Sequence, residues 1–301
     1  NLFGSPNASG QGKICAGPVS EVAAAMFGWH LGRRGYVDGH PGCIFLVGVN
    51  PAVGWPRVWK PVRDSKKAGG TLIVIDPRRT ETAALADIWL QPRPGTDVAL
   101  LLSLIHVIIE EKLYRIDFVD EWCHGFERLA ERARDYSPEK VADITWVVPD
   151  AIRMTARTLA ARSPHYSWNG MGIEQQQLSI EALQARFILA AITGSIDVEG
   201  GNTMSGPGLI RGIAHIDAND ALSPEQKQKQ LGADRFRFTS LPGFDLILEN
   251  TKRVWGSPHQ EQTMGASAHQ PTLYRAMLSG EPYPVRAMIT LAHNPLVTQA
   301  N

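Results

Sequence analysis

The sequence predicts an α/β fold: a mostly parallel, doubly wound, Rossmann-like sheet followed by part of a second α/β domain. Two observations carry this expectation. Short apolar or β-branched runs alternate with stretches of helical periodicity, as strands joined by helical crossovers require. Each run also ends in, or soon meets, a turn built from Asn, Asp, Gly or Pro.

The runs read as buried strands are Ile44 to Val47, Thr71 to Ile75, Ile88 to Leu90, His165 to Trp168 and Ala287 to Leu291. Helices fill the intervals. Val19, Val22, Ala23, Met26 and Phe27 recur at helical spacing after Gly17-Pro18, a start that suits a first helical turn. Asp97 is placed to cap a helix whose apolar face is Val98, Leu101, Leu102, Ile105, Ile108 and Ile109. Ser137-Pro138 and Pro149-Asp150 open two more, the second carrying Ile152, Ala156 and Leu159. A long helix runs from about Gln177 to Ile192 and stops at Gly194, and Pro271 to Met277 form a last one.

Composition narrows the function classes. Hydrophobic residues make up 44% and charged residues 20% of 301, the balance of a globular chain rather than a disordered one. Thirty basic residues offset thirty acidic ones, which disfavours a nucleic-acid partner. The longest apolar stretch, Val98 to Ile109, would span about 18 Å as a helix, too short for membrane insertion. Cys15, Cys43 and Cys123 share no short spacing, so no zinc clip or disulfide framework is indicated.

The organisation expected is a linker or partial strand at 1–14, a Rossmann-like domain at 15–205, and at 206–301 an irregular excursion with a partial second α/β domain. The chain opens at Asn1 without a methionine or signal peptide, and stops after a strand whose next helix is missing. Both features lead us to expect a piece of a longer polypeptide. A cytoplasmic location is favoured; an upstream targeting signal would make it periplasmic.

In an open parallel sheet, ligands bind beyond the carboxyl ends of the strands. Here those ends read Gly48-Val49-Asn50-Pro51, Asp76-Pro77-Arg78-Arg79-Thr80, Pro94-Gly95-Thr96-Asp97, Asn169-Gly170-Met171-Gly172 and His293-Asn294-Pro295. Asn and Asp side chains bond ribose hydroxyls or a base edge, glycine admits close backbone approach, and arginine meets phosphate. One Asx-Pro turn is simply a turn. Five on consecutive strands point to a nucleotide-type ligand and make 15–205 a dinucleotide-binding domain. The echo between Phe45–Val53 and Ile289–Val297, each an apolar run, a small residue and Asn-Pro, would suit two such moieties; chance similarity of two turns is the alternative.

Cys15 lies just before the Gly17-Pro18 helix start, where unpaired N–H groups favour a thiolate, the form that binds metal; a buried structural cysteine is the other reading. Cys43, entering a strand, reads as core, Cys123 as structural, and His106 as a hydrogen-bonded core residue. His30, His40 and His293 lie nearer the strand ends, and Trp55 and Trp59 either wall a pocket or simply pack. No Walker loop, Gly-x-Ser-x-Gly elbow or His-Glu-x-x-His motif is present.

Taken in order, Gly4-Ser5-Pro6-Asn7 before Cys15, the strand ends above, Ala86-Asp87-Ile88-Trp89-Leu90 and Ala292-His293-Asn294-Pro295 resemble the molybdopterin oxidoreductase family, typified by dimethyl sulfoxide reductase and formate dehydrogenase. Asp-Pro-Arg-Arg-Thr followed by Gly-Thr-Asp is the strongest part. The stretches Phe118 to Cys123 and Glu281 to Val285 are similar to acetylene hydratase, a tungsten-dependent, non-redox member.

The resemblance implies a bis-(molybdopterin guanine dinucleotide) cofactor with molybdenum or tungsten, and Cys15 as the protein ligand to that metal. It implies that Asn50, Asp76, Arg78, Thr80, Gly95, Asp97, Gly170, Met171, Gly172 and Gln175 line one dinucleotide, while Asn294 begins the second site. It further implies a small-molecule substrate, an electron-transfer subunit, and an iron–sulfur cluster bound upstream of Asn1. The activity expected is that of an oxidoreductase, with a tungsten hydratase as the alternative and an isolated piece inactive by itself. Ala16, where formate dehydrogenases carry histidine, argues against formate.

Overall fold

Four strands pair in parallel in the computed structural model, in the order β3-β2-β1-β4. They are β1 (Cys43–Val47), β2 (Thr71–Ile75), β3 (Ile88–Leu90) and β4 (His165–Asn169). The structure describes residues 3–10, 12, 15–28, 41–204, 221–237, 240–255, 267–291, 294 and 297. Cys43 faces Thr71 on one side and His165 on the other, and Val47 faces Ile75 and Asn169. Ile75 in turn faces Leu90, so all four strands end level. The order reverses between β1 and β4, the arrangement that opens a crevice at a topological switch point.

The strands are buried on both faces, which is why they read as continuous apolar runs. Alternation sends Cys43, Phe45, Val47, Ile73 and Ile75 into one core. Ile44, Leu46, Leu72, Val74, Tyr166 and Trp168 enter the other. The helices in chain order are α1 (Gly17–Phe27), α2 (Pro51–Gly54), α3 (Pro56–Lys67), α4 (Asp97–Glu110), α5 (Ile116–Trp122), α6 (Phe126–Ala133), α7 (Pro138–Thr145), α8 (Pro149–Ala161), α9 (Met171–Glu174), α10 (Ser179–Ile192), α11 (Pro224–Gln228), α12 (Leu241–Trp255) and α13 (Gln270–Ser279). Val58 and Val62 of α3 fill the second core, while α1, α4, α8 and α10 supply the first. None of these helices is long and apolar enough to cross a membrane.

Two sequence expectations change here. Thr96, not Asp97, is the N-cap of α4, and the Thr96 hydroxyl donates back to the Arg93 carbonyl at 2.6 Å. Asp97 is therefore the first helical residue, and its carboxylate is available for other contacts. Ala287 to Leu291 carries no strand pairing, and Ile289 and Leu291 are 75% and 83% exposed. An apolar run becomes a strand only where it pairs with another, and no strand of this sheet pairs with it.

The outer edge of β4 is closed by a side chain. Asn202 accepts from the Ser167 amide (3.0 Å) and hydroxyl (2.9 Å) and donates to the Ser167 carbonyl (2.8 Å), so its amide stands in for the next strand's backbone. Arg186, fully buried, donates to the same carbonyl and hydroxyl at 3.0 and 2.8 Å. Burial pulls Arg186 down to about 10, so it remains a cation at neutral pH. The third of the chain after α10 also anchors the N-terminal segment. Asn7 accepts from the Leu231 amide (2.9 Å) and donates to the Tyr283 hydroxyl (2.7 Å), and the Ala268 amide donates to Ala8.

His165 begins β4, with Nδ1 3.2 Å from the Ser195 hydroxyl. Desolvation, then Arg186, pushes its pKa from 6.5 down to about 3, so the folded protein holds it neutral. The unfolded chain binds a proton below about pH 6.5 that the folded chain refuses, so this contribution to stability is intact above that pH. It is lost as pH falls toward 3, by up to about 1.4 kcal/mol per pH unit. Urea midpoints measured at falling pH should drop more steeply for the native chain than for His165→Gln; parallel curves would refute the linkage.

Candidate functional site

The level strand ends bring four loops to one crest. At the centre, glycines let backbones touch. A Cβ on Gly48 would lie 2.9 Å from the Gly172 Cα and the Ile173 amide nitrogen, and one on Gly170 would lie 2.8 Å from the Gly48 carbonyl oxygen. Gly48, at φ 58°, adopts a conformation that other residues rarely do. The Gly170 amide donates to the Val47 carbonyl and that of Gly172 to the Gly48 carbonyl, both at 3.1 Å. These contacts lock the β1 and β4 tips together at the switch point.

Around that junction each expected residue has a definite place. Asn50 ties the β1 tip to the loop after β2: its Oδ1 accepts from the Thr82 hydroxyl at 2.7 Å and its Nδ2 donates to Glu81 at 2.8 Å. Asp76 is buried and accepts from the Arg78 amide at 2.9 Å, which turns the chain so that Arg78 and Arg79 face solvent. Thr80 is buried and its hydroxyl accepts from the Ala83 amide at 3.0 Å, starting the 3₁₀ turn Ala83–Leu85. Gly95 is exposed at φ 83°. Met171, Gly172 and Gln175 are exposed on the short α9 turn, and Gly170 is buried beneath them.

Sequence reasoning missed Gln176. Its Nε2 donates to Asp97 Oδ2 at 2.9 Å and to the Ile173 carbonyl at 3.2 Å, bridging the β4 tip to the start of α4. Glu174 was missed too; it accepts from Asn169 at 2.7 Å within the protein. Three consecutive glutamines, Gln175 to Gln177, gave no local signal of which one turns inward.

Burial raises the Asp97 carboxyl above its ordinary range, the Gln176 hydrogen bond opposes this, and repulsion from Asp76 adds to it. Asp76 is raised for the same first reason, offset by the Arg78 amide. Asp76 and Asp97 are thus two partly desolvated carboxylates, and Asp97 feels the repulsion of Asp76. Such a pair accepts N–H donors strongly, and exposed Arg78 and Arg79 beside it suit phosphate.

A protein-family model described as molybdopterin oxidoreductase matches residues 7–269, which span every loop of the crest. The chain belongs to the molybdopterin oxidoreductase family. Among its relatives, acetylene hydratase of Syntrophotalea acetylenica is 38% identical over 304 residues, covering 100% of this chain and 41% of that protein. Formate dehydrogenase H of Escherichia coli (strain K12) is 33% identical over 261 residues, 85% of this chain and 34% of that one. The solved structure of acetylene hydratase from Pelobacter acetylenicus superposes with a TM-score of 0.86 at 35% identity, over 94% of this chain and 39% of that one. The chain therefore spans about two fifths of the acetylene hydratases it matches.

The family implies a molybdopterin cofactor, and the residues present fit it. Among the described residues no group of three or more His, Cys, Asp or Glu could hold a metal. A single thiol supplementing a cofactor's own sulfurs is compatible with that. Cys15 is such a thiol, half-buried and free of any disulfide, two residues before α1. Phe27 at the far end of α1 packs edge-on against Phe187 at 5.6 Å, near the end of α10 that leads to the start of β4. Ala16 is buried and its carbonyl accepts from the Ser20 hydroxyl at 2.7 Å.

The other cysteines and His106 lie elsewhere. Burial drives Cys43 up to about 12 and raises Cys123. His106 Nδ1 sits 3.0 Å from the Ala133 carbonyl, far along α4. Trp55 meets Trp168 edge-on at 5.7 Å beside the β1 tip and remains 47% exposed, whereas Trp59 packs in the core. Asn294 is exposed, while His30, His40, His293 and Pro295 lie outside the described residues.

The glycine junction makes a direct prediction. Gly172→Ala puts a methyl 2.9 Å from the Gly48 Cα, where neither backbone can yield, and should cost about 1–3 kcal/mol in urea unfolding. Gly54→Ala, with nothing within 4 Å of its added carbon, should leave the midpoint essentially unchanged. Equal effects would show that the tips are not locked.

Proposed function

We propose that this chain is the part of a molybdenum- or tungsten-dependent catalytic subunit that grips one guanine dinucleotide arm of the cofactor. The observation that carries the reading is the buried Asp97 carboxylate, tied by Gln176 to the α9 turn that the side-chain-free junction of β1 and β4 fixes, with a second buried carboxylate, Asp76, at the neighbouring β2 tip. In this reading Asp97 accepts N–H groups of the guanine edge, with Asp76 close enough to share the role. Arg78 faces the phosphates, Gly95 allows close backbone approach, Gly170 and Gly172 hold the β1 and β4 tips together beneath it, and Met171 and Gln175 cover the nucleotide. Asn50 and Thr80 act one step back, shaping the loops that carry these groups. Cys15 provides a thiolate to the metal, and Asn294 would serve a second arm.

When bound, the cofactor would supply a metal able to exchange two electrons or to act as a Lewis acid. The protein's part is to hold that group in place, keep Asp97 ionised and exclude water from the β1–β4 junction. The reaction read for the whole protein is that of an oxidoreductase on a small molecule, served by an electron-transfer subunit. The similarity to acetylene hydratase across the whole chain favours a second reading, a non-redox hydratase. The polypeptide bearing this chain, purified without oxygen, should contain molybdenum or tungsten, pterin and guanine nucleotide. Absence of all three would end the proposal, and substrate hydration without reduction of a dye would select the hydratase.

The 301-residue chain alone holds only one side of the dinucleotide, so its affinity for GDP should be weaker than about micromolar. Binding should weaken further as pH falls, because protonated Asp97 and Asp76 cease to accept. Since burial raises both groups, the loss should begin above the ordinary carboxylate range. Asp97→Asn should lower GDP affinity by about tenfold, the scale of a charge-assisted hydrogen bond, while leaving ADP unaffected. Titration calorimetry reads both; equal losses for GDP and ADP would contradict the role given to Asp97.

A further inference from the structure

The Gln176 side chain has only one workable orientation. Its Nε2 lies between two acceptors, Asp97 Oδ2 at 2.9 Å and the Ile173 carbonyl at 3.2 Å. Turning the amide over would set its oxygen against both, so the donor end must face them. Its Oε1 is then left beside Gly95, 4.0 Å from where a Cβ would stand. Gln176 follows the α9 turn, whose start is fixed by the glycine junction, and Asp97 opens α4 behind the β3 tip. One amide thus spans the crest from β4 to the far edge strand.

We propose that Gln176 is a positioning residue: it holds the Asp97 carboxylate in the one rotamer that presents its edge to the guanine. This rests on the guanine-site reading above. Asp97 sits where two influences disfavour its charge, burial and the neighbouring Asp76 carboxylate. Asp76, from the β2 side, is the charged group whose repulsion it feels, and Gln176, from the β4 side, is neutral. A neutral donor stabilises the anion without neutralising it, so the carboxylate stays available to a ligand's N–H pair. A lysine or arginine at 176 would instead compete with the ligand for that carboxylate. Gln175, exposed one residue earlier, is free to meet the ligand directly, so the two neighbouring glutamines divide the work.

Two measurements on the 301-residue chain test this, with Gln176→Leu and Gln176→Glu. The first follows the Asp97 carboxyl carbon by ¹³C NMR as pH is varied, with no ligand present. Its titration should move to higher pH in Gln176→Leu, which loses the donor, and further in Gln176→Glu, which adds a second carboxylate. The second compares binding of GDP, of ADP and of inosine diphosphate, which lacks the 2-amino donor, by ligand-observed NMR. The native chain should prefer GDP; in Gln176→Leu affinity for GDP should fall about tenfold at neutral pH and the preference should shrink. An unmoved Asp97 titration, or GDP affinity and preference unchanged in Gln176→Leu, would overturn the role of Gln176. Failure of the native chain to prefer GDP over ADP would instead overturn the guanine-site reading, whatever Asp97's titration shows.

Discussion

The contact that the rest of the crest depends on is made by backbone alone: Gly48 against Gly170 and Gly172 at the reversal of strand order. With three residues lacking Cβ atoms, the tips of β1 and β4 approach until amides of one bond carbonyls of the other. Any side chain there would push α9 outward and carry Met171, Gln175 and Gln176 with it. The crevice that parallel sheets open at such a point is therefore narrowed to a seat, with polar groups arriving from its two sides.

Rigid supports surround that seat, and each is built from a different material. Beneath it, continuous apolar strands are sealed on both faces by helices. On the outer flank of β4, Asn202 replaces a missing strand with its side-chain amide, and Arg186 reinforces the same Ser167 group from α10. On the opposite flank, Asn50, Thr82 and Thr80 knit the loops after β1 and β2. The carboxylates at the top stay partly desolvated because these supports hold their loops in place, and desolvation makes them strong acceptors. The guanine seat proposed at this crest is compatible with the molybdopterin cofactor that family membership implies.

Much of this was legible in the sequence because it is local. The strands at 44–47, 71–75, 88–90 and 165–168 were visible as apolar runs, and the helices as periodic patterns with proline starts. What was not legible depends on partners distant in the chain. Ala287 to Leu291 has a strand's composition but pairs with no strand, while the outer side of β4 is bonded by Asn202, some ninety residues earlier. Asp97 looked like a cap because aspartate is a good one, yet Thr96 takes that position and frees Asp97 for Gln176. The glycines at 48, 170 and 172 announced close approach, but not that backbone would approach backbone. Nothing in the run Gln175 to Gln177 separates the residue facing outward from the one that turns in.

The claim that the crest at the β1–β4 reversal seats a guanine-bearing group is tested most directly by hydrogen exchange across the chain, with and without saturating GDP. The account predicts slowed exchange confined to the loops at 48–52, 76–83, 95–97 and 170–176, and no such pattern with ADP. Protection that misses these four loops, or that ADP reproduces in full, would contradict it.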